Sequence, residues 1–182
     1  MNPRESILFS GGAPGAEAAF GECAERRGVE EVNFTFDGHR IARQRGVRVL
    51  NHEELLAGDV SLEYVSRLMN RRYVEGPTIR KILQTLWYQV NSGQEIYVIG
   101  TILPDTTVRG GTGWGAEFAK LCNKPLFVFD QEREGWFRWT GESFEPAKDP
   151  VIAHPHFCGT GTRFLAENGA AAVDALFARS FR

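Results

Sequence analysis

Ile7-Leu8-Phe9-Ser10-Gly11-Gly12-Ala13-Pro14-Gly15-Ala16 joins a short apolar run to a glycine-rich turn. Beyond Ala16 the apolar residues Ala19, Phe20, Cys23 and Ala24 recur at helical spacing until Gly28. An apolar run that stops at glycines reads as a buried strand entering a turn, and the spacing after it as a helix that Gly28 ends. The same unit recurs further on. Glu95-Ile96-Tyr97-Val98-Ile99-Gly100 is rich in β-branched and aromatic residues, and a glycine loop at 109–113 leads into a helix reaching about Cys122. Pro125-Leu126-Phe127-Val128-Phe129-Asp130 is apolar on both faces, as a central parallel strand must be.

The intervening segments complete the pattern. Val32-Asn33-Phe34-Thr35-Phe36 alternates as a strand, while 38–48 is basic, lacks apolar periodicity and reads as a surface loop. Asp59 or Ser61 is placed to cap a helix carrying Leu62, Val65, Leu68 and Met69. Pro77 suits the first turn of the next, with Ile79, Ile82, Leu83, Leu86 and Val90 as its stripe. Trp136-Phe137-Arg138-Trp139 and Ser143-Phe144 flank Thr140-Gly141, which predicts an antiparallel hairpin near 134–145. A final strand is expected from Val151 to Phe157, then a closing helix with Ala172, Val173, Leu176 and Phe177. Strands alternating with helices predict one α/β domain over 1–182, a mainly parallel sheet with helices on both faces.

Composition narrows the function. The 182 residues carry 21 Lys plus Arg against 23 Asp plus Glu, a net charge of −2, which argues against a nucleic-acid partner. No window nears 18 uninterrupted apolar residues, so no membrane span is expected, and the first residues lack the apolar run of a secretory signal. Three cysteines without a CxxC pair point to a reducing, cytoplasmic setting rather than a disulfide framework. His154, His156 and Cys158 share one side of a strand, but typical zinc spacing and a fourth ligand are missing. Neither a metal nor a cofactor is expected.

Three glycine segments precede predicted helices. They contain Ser10, Gly11, Gly12, Gly15, Ala16 and Glu17; Arg109, Gly110, Gly111, Thr112 and Gly113; and Gly159, Thr160, Gly161, Thr162 and Arg163. Ligands of open parallel sheets bind beyond the strand carboxyl ends, and helix N-termini there offer free N–H groups to a phosphate or similar oxyanion. No segment is a Walker motif or a GxGxxG fingerprint.

Gly110-Gly111-Thr112-Gly113-Trp114-Gly115-Ala116-Glu117 resembles the GGxGTxxE signature of LOG phosphoribohydrolases, with Trp114 in place of Thr. Ser10 to Glu17 is similar to the SGGAxGAD segment of DprA and YpsA relatives, with Glu in place of Asp. The chain as a whole resembles the SLOG superfamily, nearest its YpsA-like branch, with the Gly-Thr-Arg piece permuted towards the C-terminus. The resemblance implies a Rossmann-like fold and a small-molecule nucleotide or nucleotide-derived ligand. It also implies a homodimer or higher homo-oligomer, for which aromatic residues around Trp136 offer a surface. Two other functions follow from it: hydrolysis of the N-glycosidic bond of nucleoside monophosphates, and carriage of a pterin molybdenum cofactor.

For hydrolysis, Glu117 is the candidate catalytic acid, with Arg109 or Arg163 on the phosphate. The Arg-Lys pair that phosphoribohydrolases carry before their glycine motif has no matching counterpart; Arg71-Arg72 and Arg80-Lys81 are the nearest. Asp130 ends a buried strand, where a carboxylate either holds ribose hydroxyls or starts a turn. Trp114 either stacks on a base or covers the core.

Overall fold

The computed structural model describes residues 1–73 and 76–181. A single eight-stranded sheet organises the chain. In chain order its strands are β1 (Ile7–Ser10), β2 (Glu30–Phe36), β3 (Val47–Leu50), β4 (Glu95–Gly100), β5 (Leu126–Asp130), β6 (Gly135–Trp139), β7 (Phe144–Pro146) and β8 (His156–Gly161). They lie in the order β3-β2-β1-β8-β4-β5-β6-β7. The first six in that order are parallel, and β6 and β7 continue the same sheet antiparallel as a hairpin. The helices are α1 (Ala16–Arg27), α2 (His52–Leu56), α3 (Asp59–Leu68), α4 (Pro77–Ser92), α5 (Thr112–Leu121) and α6 (Glu167–Ser180).

Alternation along the strands divides the core. Leu8, Tyr97, Ile99 and Phe157 point to one face, where Phe20 and Ala24 of α1 meet Val173, Leu176 and Phe177 of α6. Ile96, Val98 and Cys158 point to the other, packed by Leu62 and Val65 of α3, Leu83, Leu86 and Val90 of α4, and Phe118 and Ala119 of α5. A smaller cluster joins Phe34, Phe36 and Leu50 to Leu55 of α2. Each large apolar side chain buried this way contributes about 1.5–3 kcal/mol. The helix ends are specified locally. Gly28 closes α1 in the left-handed conformation, Pro77 opens α4, and Asn51 with Glu54 forms a capping box on α2.

The Met1 amino group donates to the Ser180 carbonyl at 3.0 Å, so the end of α6 adjoins the start of β1. Read on from α6 into β1, the strands β8, β1 and β2 run one way from the centre and β4, β5 and β6 run the other. This is the doubly wound, Rossmann-like arrangement, with its reversal between β8 and β4.

Several boundaries differ from the sequence expectation. The segment 38–48 is not all loop, because Val47 begins β3; a four-residue edge strand with Arg48 inside it leaves little alternation to detect. The α2 turn was also not foreseen, and Ile79 is exposed instead of lining the α4 stripe. The last strand is His156–Gly161 and not 151–157, since Pro155 has no N–H to offer a ladder. Gly159 and Gly161 therefore belong to a strand, and Gly159 leaves the room that the Phe20 ring fills.

Candidate functional site

The carboxyl ends of β1, β8 and β4 lie side by side, so the segments that follow them share one edge of the sheet. Two of the glycine segments are locked together. The Ala16 N–H donates to the Thr162 carbonyl at 3.0 Å, and Thr162 N–H donates to Ile99 at the end of β4. Gly15, at φ +93°, passes so close to β8 that a Cβ there would stand 2.6 Å from the Arg163 Cα. The Ser10 hydroxyl donates to the Gly159 carbonyl at 2.7 Å.

Glu17 fills the hollow beneath this junction. Its carboxyl accepts from Ala13 N–H at 2.9 Å and from the Thr160 hydroxyl at 2.8 Å. The buried Gln89 of α4 completes the contact: the orientation that satisfies its amide puts the nitrogen 3.3 Å from Glu17 and the oxygen 3.3 Å from the Gly11 N–H. Burial pushes the Glu17 carboxyl above the usual carboxylate range, and the hydrogen bonds from Ala13, Thr160 and Gly11 only partly offset it. The first glycine segment is thus occupied by its own side chain.

The segment at 109–113 is different. Gly110 and Gly111 are exposed, and nothing lies within 4 Å of where a Cβ on either would stand. They open α5, whose Gly115 faces the Thr160 methyl group, so the α5 start and the Glu17 hollow meet across β8. Arg71 holds this segment in place, donating to the carbonyls of Val108 and Gly110, each at 3.1 Å, and to the Thr107 hydroxyl at 2.8 Å.

Other candidates are placed elsewhere or engaged. Glu117 turns to Lys120, 3.1 Å away, whose ammonium donates to the Thr106 carbonyl and lies 4.0 Å from the Trp139 ring centroid. Asp130 is fully buried and accepts from the N–H groups of Ile102, Glu132 and Arg133, which makes it the turn-holding acid of the two readings. The Arg109 side chain forms an exposed pair with Glu132. Trp114 is core, packed on Tyr73. Trp136 is also buried, edge-on to Tyr97 and Phe129, while its aromatic neighbours Phe137, Trp139 and Phe144 are half-buried. Arg80 of the second basic pair is bound to Asp59, and Lys81 lies over the Phe36 ring.

Three residues at this edge escaped the sequence reading. Gln89 is a polar position inside an apolar helical stripe, a signal that was present. Gln131 bridges strand ends to the α6 start: its carbonyl accepts from Asn168 and its side-chain oxygen from Ala166 N–H at 2.7 Å. Phe164 stands exposed just beyond β8. Among the described residues, no group of three or more His, Cys, Asp or Glu is arranged to hold a metal ion, and no helix is long and apolar enough to cross a membrane. The chain matches no family model, no curated protein and no solved structure.

Proposed function

We propose that this protein binds a nucleotide or nucleotide-derived small molecule at the carboxyl ends of β1, β8 and β4. The observation that carries the reading is that three glycine segments lie at the neighbouring ends of β1, β8 and β4, the reversal point of a doubly wound sheet, two of them joined by a hydrogen bond. Ligands of such sheets occupy this crevice. Because Glu17 fills the first segment, the open backbone at Gly110 and Gly111, with the α5 N-terminus behind it, is the seat for the ligand's phosphate.

Binding is favoured over N-glycosidic hydrolysis by the state of the two acids. Glu17 is held by Ala13 and Thr160, and Glu117 is drawn to Lys120. Calorimetric titration of AMP into the wild type and into Gly111→Asp tests the reading. Heat of binding in the first, lost in a folded second, supports it; no binding to the wild type refutes it for this ligand.

A further inference from the structure

Phe164 presents 73% of its surface to water, yet its backbone is fixed on both sides. Its N–H donates to the Thr162 hydroxyl at 3.1 Å and its carbonyl accepts from the Gln131 side chain at 3.3 Å. Two residues on, Ala166 N–H is bound to the same Gln131 side chain. The guanidinium of Arg163 lies 4.7 Å from the Phe164 ring centroid. An exposed aromatic ring alone is unremarkable on a protein surface. Here it stands three residues past Gly161, the last residue of β8, on the edge that carries the glycine segments.

The chemistry of the pair is specific. A phenyl ring and a guanidinium are both flat, and both stack on heterocyclic bases. The phenyl ring has neither hydrogen bonds nor charge to give a phosphate, whereas the guanidinium can serve a base or a phosphate, so the ring is what selects for a base. Arg163 keeps its charge beside the ring, so one pair offers a stacking face and a cation together. Trp114, beside the 109–113 segment, is buried against Tyr73 and has no face to offer.

We propose that Phe164, flanked by Arg163, is the seat for the planar base of the bound nucleotide. The assignment rests on the nucleotide reading and narrows it, since the ligand must carry an aromatic heterocycle and not only a sugar phosphate. Phe164 is a specificity residue in this account.

The test compares AMP with ribose 5-phosphate on the wild type, Phe164→Ala and Phe164→Trp. Loss of one stacked base predicts an AMP affinity lower by on the order of tenfold in Phe164→Ala, with ribose 5-phosphate unchanged. Phe164→Trp should retain AMP. Because the ring is exposed, urea unfolding of Phe164→Ala should match the wild type. If AMP binds and Phe164→Ala binds it equally well, the base seat is wrong and the nucleotide reading stands. Equal weakening of both ligands, or equal affinity of the wild type for both, also overturns it. If the wild type binds neither, the nucleotide reading itself fails, and the base seat with it.

Discussion

The Thr160 hydroxyl reaches the Glu17 carboxyl at 2.8 Å across 143 residues of chain, and both groups are buried. This bond ties the start of α1 to the end of β8. It also places a carboxyl where little water reaches it, and the sign of its pH effect follows. Burial raises the folded-state value of Glu17, so the folded chain holds this proton more tightly than the unfolded one. Its contribution to stability is complete below the unfolded carboxylate value and is lost as pH rises through the folded one. Glu17→Gln cannot ionise. Urea unfolding of both proteins at pH 4 and pH 8 should show the variant gaining on the wild type as pH rises. A difference that stays flat, or moves the other way, contradicts this.

Gly15 and Gly111 separate the locked segment from the open one. Gly15→Ala would meet Arg163 and Thr162 backbone with a positive φ to sustain, costing about 2–4 kcal/mol of stability. Gly111 sits at φ −62° in open space, so Gly111→Ala should lie within about 1 kcal/mol of the wild type. Denaturant midpoints measure both. Equal effects would mean that the two segments are not differently packed.

Asp130→Ala leaves the N–H groups of Ile102, Glu132 and Arg133 without their acceptor. A loss of about 3 kcal/mol is expected. Where the variant remains folded, its affinity for AMP should match the wild type. A stable variant with weakened AMP binding would return Asp130 to the role of ribose acceptor.

The doubly wound sheet was legible because β1, β4 and β5 are apolar runs bounded by glycine, aspartate or proline, and α4 announces itself with Pro77. β3 was not, since an exposed edge strand of four residues owes its form to pairing with β2 and not to its own pattern. Position at the sheet edge was legible for the glycine segments, but their difference was not. Whether a glycine is open like Gly111 or pressed against another backbone like Gly15 depends on residues some 150 positions away. The same holds for Glu117, whose spacing from Gly110 is a sequence fact and whose turn towards Lys120 and Trp139 is a packing one.

Thermal unfolding of the purified protein against nucleoside monophosphates, NAD, ADP-ribose and inorganic phosphate tests the central claim most directly. A ligand present at 100 times its dissociation constant adds about 2.7 kcal/mol, a shift of several degrees at this chain length. The account predicts such a shift with at least one nucleotide and its loss in Gly111→Asp. Unfolding that no nucleotide moves, or a shift that survives Gly111→Asp intact, would contradict a nucleotide site at the α5 start.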